Sequence, residues 1–318
     1  MLGQVMRNLF FLFIFLASGC SLQKVALRGA TPIFVKSSDV VMKERSWDFF
    51  KDFSPGNIKF LEVLWEEDKE NLGLLSALIK GYAGFAFGVS ETLAYEDELK
   101  GAEESKWRKD ALVYYTRSLD FGLLYLKARG ISREDLLNLE EALLNKKLQK
   151  LSPEDIPSLL YTAQSRGSLI NLQKDNIVLV SLVPRVKILF DHVCQVKPDI
   201  DNNVCDLFYA QYESSRPRML GGNPEKGAKL FLEAINRNPR NLLLRLSYIQ
   251  YVLIPSMDQE KYEKEAKILK EEFNHWSNLN RDSLQSVSPY RNAPELNLFN
   301  AIAEKRFQII ETYKNKIF

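Results

Sequence analysis

The chain is poor in the residues from which most catalytic and metal centres are built. Among 318 residues there are two histidines, His192 and His275, and three cysteines. No His-Glu-x-x-His, Gly-x-Ser-x-Gly or glycine-rich phosphate loop occurs, which removes the common zinc-protease, nucleophile-elbow and nucleotide-loop chemistries. The spacing of His192, Cys194 and Cys205 is not that of a structural zinc site. Charge of one sign is also lacking: 43 Lys and Arg face 41 Asp and Glu, for a net charge of +2. A nucleic-acid partner therefore has little electrostatic support. Runs of strictly alternating β-branched residues are missing, and with them the signature of a sheet. The one strand-like run, Ile177-Val178-Leu179-Val180, continues to Leu182, Val183 and Pro184 and reads as a buried helical stretch with a break. Acid clusters at Glu66-Glu67-Asp68 and Glu140-Glu141 read as solvated helix faces, although paired carboxylates are also what a glycan hydrolase uses. No enzymatic activity, cofactor or metal is expected.

Long hydrophobic runs are scarce as well. Leu9–Leu16 is apolar but shorter than the roughly 20 residues of a spanning helix. Arg7 precedes it, and Ala17-Ser18-Gly19 follow, the layout of a secretory signal. Cys20 directly after these small residues resembles a bacterial lipobox. That resemblance implies cleavage before Cys20, lipid on its sulfur and a protein held on a membrane outside the cytoplasm. The segments expected are a lipoprotein signal at 1–19, a lipidated N-terminus and tether at 20–37, and a folded body at 38–318. In an oxidising space Cys194 and Cys205, eleven residues apart, can pair or stay free; geometry decides.

What is present is helix. Hydrophobic residues make up 46% and charged residues 26% of the chain, normal for a globular protein. Helices are expected near 39–53, 56–68, 72–96, 104–129, 132–148, 155–172, 175–195, 203–214, 223–238, 241–254, 258–274 and 294–316. Asn223-Pro224-Glu225 supplies an N-cap, a proline at the first helical position and an acid in the first turn. Helix 241–254 is apolar on nearly every side and so reads as buried, leaving Arg245 and Gln250 in need of water, a partner or a cavity. Gly84 and Gly88 lie inside a helical pattern and read as close-packing positions.

Short turns between these helices suggest hairpins, and two sets of positions suggest that the hairpins repeat. Gly227, Phe231, Ala234 and Pro239 match the second helix of a tetratricopeptide (TPR) repeat. Ala111, Tyr115 and Ser118 match the same offsets, preceded by Leu75, Leu78 and Tyr82 at first-helix spacing. The fold class expected is all-α, a TPR-like array of hairpins.

Aromatic residues gather in the first half. Tyr82, Phe85, Tyr114 and Tyr161 either fill hairpin cores or line an apolar cleft with a few polar groups, the usual make-up of a ligand site. Arg166 stands alone as a charge between Ile156 and Gln173. It either binds a carboxylate or ends a helix at the surface.

The full-length order of motifs resembles the TatT lipoproteins, TPR-containing components associated with TRAP transporters. The resemblance runs from Gly19-Cys20 through Leu74–Ala86, Tyr114–Leu119 with Gly122, Asp155–Tyr161 and Gly221–Ala228 to Pro294–Ala303. It implies a periplasmic, outer-membrane-anchored homotrimer with a pore or cleft in each protomer. It also implies a small hydrophobic or organic-acid solute and docking of a TRAP-type periplasmic solute-binding protein. A TPR scaffold for envelope assembly, with no solute, is the alternative. Mass spectrometry of the mature protein should find residue 20 acylated at the N-terminus; a free cysteine there would remove the anchor.

Overall fold

The computed structural model describes residues 19–277 and 289–318. The expected signal at 1–19 lies outside these residues except for the backbone at Gly19. Every regular element among the described residues is helical. In chain order these are α1 (Gly19–Val41), α2 (Trp47–Glu67), α3 (Leu72–Phe85), α4 (Glu91–Lys100), α5 (Lys106–Ala128), α6 (Arg133–Asn138), α7 (Glu141–Leu148) and α8 (Ile156–Leu172). They continue as α9 (Ile177–Val180), α10 (Val183–Val196), α11 (Ile200–Ser214), α12 (Pro224–Arg237), α13 (Leu242–Tyr248), α14 (Gln259–Ser277) and α15 (Asn297–Ile317).

Helix starts carry their own chemistry. Ser46, Asn71 and Ser105 each accept the backbone N–H three residues on, and Ser132 with Asp135 forms a capping box. Asn223 caps α12 ahead of Pro224, as its sequence requires. Several boundaries differ from expectation. Residues expected as a tether belong to α1, which packs on α3. Its inner stripe, Leu27-Thr31-Phe34-Ser38-Val41, has helical spacing but two polar members, so the apolar period is masked. Thr31 accepts from Asn71 Nδ2 at 2.8 Å, and Arg28 Nε donates to the fully buried Asp68 at 2.6 Å. The helices expected at 39–53 and 56–68 are replaced by one helix, α2, that runs through Pro55. Phe50, Ile58 and Leu61 bury one continuous face on either side of the proline, and Ser54 Oγ donates to the Phe50 carbonyl at 2.6 Å. The Ile177–Val180 turn is helical, but it is not buried: Ile177 is 83% exposed.

α3 and α4 form one rod joined by a π turn at Ala86–Ser90. By length and composition Leu72–Lys100 passes for a membrane span, yet most of its apolar window is buried within the fold, as in a core helix. α3 packs on α2 and α5, α5 on α8, and α8 on α10; α11 and α12 then form a tight hairpin leading to α13. α13 continues into a second π turn, Ile249–Leu253. Arg245 finds its partner in Glu265 of α14, whereas Gln250 Oε1 is buried without one. The last helix, α15, returns to α4 and α2. Leu298 N–H donates to the Met42 carbonyl at 3.0 Å, and Asn297 Nδ2 donates to the Lys43 carbonyl at 3.1 Å. The helical array thus closes on its own beginning and surrounds a central space.

Of the expected repeat positions, Leu75, Leu78, Tyr82, Ala111, Tyr115, Ser118, Gly227, Phe231 and Ala234 are buried at helix contacts, and Pro239, past the end of α12, is exposed. Cys194 and Cys205 form a disulfide with Cα atoms 5.8 Å apart, tying the end of α10 to α11. α5 and α8 approach most closely at Gly122, where a Cβ would sit 2.9 Å from Thr162 Cβ and closer still to its outer atoms. Gly122→Ala should therefore cost about 1–3 kcal/mol despite the better helix propensity of alanine. Urea unfolding measures this; a stabilised variant would refute the close contact.

Candidate functional site

Ring closure leaves a cavity of about 1060 Å³, at the top of the roughly 300–1,000 Å³ range of small-molecule sites. Most of its wall is apolar: Phe50, Phe53 and Ile58 from α2, Val186 and Phe190 from α10, Phe208 from α11, and Leu298 and Ile302 from α15. Phe190 and Phe208 stack with ring centres 3.7 Å apart. The α3–α4 rod contributes Ala77, Lys80, Gly84, Phe87 and Glu91, one stripe along the helix. Gly84 has open space where a Cβ would stand, so it widens the cavity. Gly88 is different: its Cβ would meet Ile302 at 2.9 Å and Phe50 at 3.0 Å, the close packing its position suggested.

Besides polar lining residues such as Asn57, Lys174, Asp175 and Arg216, two tyrosine–carboxylate pairs interrupt the apolar wall. At the first, Tyr161 OH donates to Asp201 Oδ2 at 2.6 Å, and Lys80 Nζ lies 3.8 Å from Asp201 Oδ1 and 5.6 Å from the centre of the Tyr161 ring. Asp201 opens a run of three left-handed residues, Asp201, Asn202 and Asn203, with φ of 44°, 57° and 68°. Such backbone is unfavourable for side-chain-bearing residues and least so for Asp and Asn. Asn202 and Asn203 hold it by donating to the Glu295 carbonyl and to Asn238 Oδ1. Burial, then the charge and hydrogen bond of Asp201, push the Tyr161 hydroxyl well above its usual pKa.

At the second, Tyr115 OH donates to Glu91 Oε1 at 2.6 Å, and Arg306 Nη2 of α15 lies 3.8 Å from Glu91 Oε2. Burial raises the Glu91 carboxyl, and the opposing pull of Arg306, Tyr115 and Ser168 does not cancel it. Tyr251, carried by the second π turn, and Gln211 line the same region. Both π turns thus border the cavity, a placement common for such insertions at functional sites.

Of the residues singled out by sequence, Tyr161 lines this cavity, and Tyr82, Phe85, Tyr114 and Arg166 do not. Tyr82, Phe85 and Tyr114 belong to an aromatic cluster between α2, α3 and α5. Tyr82 stacks on Phe121 at 5.9 Å, and Phe85 meets Tyr114 edge-on at 5.1 Å. Tyr82 OH donates to Glu62 at 2.7 Å, and Arg117 also reaches Glu62. Arg166 is buried within α8, rather than at a helix end on the surface. Sequence reading missed Lys80, Glu91 and Asp201. A signal existed for two of them: Lys80 and Glu91 are charges eleven residues apart, three helical turns, in an otherwise apolar run, with Gly84 between them on the same face.

The Glu62 carboxyl shows what a purely structural acid looks like here. Burial would raise it, but hydrogen bonds from Lys59, Tyr82 and Arg117 and the Arg117 charge hold it at about 2. A depressed carboxyl stabilises the fold above its unfolded pKa, and that contribution fades as pH falls toward the folded value. Glu62→Gln should thus cost about 2–3 kcal/mol at pH 7. Its stability curve should merge with that of the parent as pH falls from about 4.5 toward 2. Urea midpoints across pH measure this; a pH-independent gap would show that packing, not charge, is lost.

A family model described as TRAP transporter T-component matches residues 44–318. No curated protein matches the chain.

Proposed function

We propose, from the premise that the chain belongs to the TRAP transporter T-component family, that it holds a small, partly hydrophobic solute in its central cavity and passes it to or from a periplasmic solute-binding protein. Membership implies an accessory role in TRAP transport; solute holding and docking go beyond membership. The single observation that carries the reading is the cavity of about 1060 Å³ with a mostly apolar wall and two separated tyrosine–carboxylate pairs. Such a wall suits an apolar body. Lys80 suits an organic acid: its contact with Asp201 is long at 3.8 Å, leaving its ammonium open to a ligand carboxylate. Glu91, raised by burial, suits a hydroxyl or a second acid group on the same molecule.

Docking at the cavity edge is supported by its lip. Ile177 and Leu220 line the cavity and are 83% and 55% exposed, and Val178 and Met219 beside them are exposed too. An exposed apolar rim of this kind favours contact with another protein. On this reading the helices form TPR-like hairpins, the protomers associate as a trimer, and lipid on Cys20 anchors the assembly to the outer membrane. A solute-free scaffold for envelope assembly has no use for an apolar cavity of this size.

Gly84→Leu separates the two readings. The position has room for a side chain, and leucine is the better helix former, so the variant should be at least as stable as the parent. Native mass spectrometry of the lipid-free protein should show a solute on the parent and its loss from the variant, both as trimers. A parent without bound solute, or a variant that retains it, would defeat the solute reading; a monomer would defeat the assembly.

A further inference from the structure

A second site lies on the far side of α8. Gln164 and Ser168 turn toward the cavity. Arg166, two residues from each and so about 200° around the helix, does not line it. It is 6% exposed, and its Nη1 is fully enclosed without a hydrogen-bond partner. Among the described residues no carboxylate lies against it. The charged groups that act on it are instead two further arginines, Arg133 and Arg185.

Both of these belong to or bind the short helix α6. Arg133 is its first residue and is exposed. Arg185 is half-buried and fixed at the other end, where Nε donates to the Leu136 carbonyl at 3.0 Å and Nη2 to the Asp135 and Leu139 carbonyls at 3.1 and 2.6 Å. Nearby acids are committed elsewhere. The Asp135 carboxylate takes Lys147 at 2.7 Å and Ser132, and Glu134 takes the Asn138 amide. The arginines are thus graded in depth, with the deepest one unpaired. A buried cation without a counter-charge is among the costliest arrangements in a protein, and a planar guanidinium fork is shaped for two oxygens of one anion.

We propose that Arg166, Arg185 and Arg133 form a binding site for a small oxyanion, a carboxylate or phosphate group, with Arg166 as the deepest contact. The site is separate from the cavity and stands or falls independently of the solute held there. Burial and the two arginine neighbours lower Arg166 to about 10, so it remains a cation at neutral pH.

The test is thermal unfolding of the whole protein in chloride, inorganic phosphate and acetate at equal ionic strength. Phosphate, acetate or both should raise the melting temperature saturably where chloride does not, and whichever acts names the class. Arg166→Met should abolish that response and raise the melting temperature in chloride, because the unpaired charge is gone. Arg133→Ala, at an exposed position, should weaken the response severalfold. Equal responses to all three salts in the parent, or an unchanged response in either variant, would overturn the site. Native mass spectrometry reads the cavity solute separately and should be unaffected by Arg166→Met.

Discussion

The ring of helices depends on one buried arginine. Arg306 of α15 donates from Nε to Thr92 Oγ1 at 2.8 Å and from Nη2 to the Phe87 carbonyl, and its guanidinium covers the Phe87 ring at 4.4 Å. Phe87 belongs to the first π turn, where the widened helix leaves carbonyls available to outside donors. Trp47 Nε1 and Thr92 Oγ1 both take the next one, that of Gly88, at 2.8 and 2.9 Å. The π turn, α2 and α15 therefore hold one another. The same arginine lies against Glu91 and fixes the carboxylate that faces the cavity. Closure of the fold and construction of the site are one interaction.

This coupling explains why the cavity survives. An apolar void of this size forfeits dispersion contacts along its whole lining, and a loosely held array would collapse into it. The walls are held apart by polar ties at their ends: Arg306 to the π turn, Asn297 to the Lys43 carbonyl, and Tyr161 with Asn202 and Asn203 at the left-handed turn. Each tie fixes a helix end, and the apolar wall between them contains few groups that could pull it inward.

Helix content was legible from patterning because caps such as Asn223-Pro224 and stripes such as Phe231-Ala234 depend on near neighbours alone. α1 was not, because Thr31 and Ser38 replace two members of its buried stripe, and the tertiary partner of Thr31 is Asn71, forty residues away. Pro55 misled for a related reason: local chemistry favours a break, and burial of Phe50 and Ile58 on either side overrides it. The site was less legible than the fold. Tyr82, Tyr114 and Tyr161 look alike in sequence, and only the partner on the next helix separates them: Glu62 and Phe121 for Tyr82, Phe85 for Tyr114, Asp201 for Tyr161. The family resemblance, by contrast, rests on order over the whole chain and needs no knowledge of those contacts.

Two of the acids contacted by tyrosines show how environment divides structure from site. Glu62 and Glu91 each accept from a tyrosine and each lie near an arginine. At Glu62 burial is outweighed by three donors, one of them a directly bonded arginine, so the carboxylate is saturated and held at about 2. At Glu91 burial dominates, and the arginine stands off at 3.8 Å because its hydrogen bonds go to Thr92 and Phe87. Neutralising Glu62 removes charge-assisted bonds that join α2, α3 and α5. Glu91 retains unspent hydrogen-bonding capacity in a low-dielectric wall, where a single well-placed ligand group is worth more than in water. The chemistry that closes the ring thereby leaves Glu91, an acid in the cavity wall, only partly neutralised.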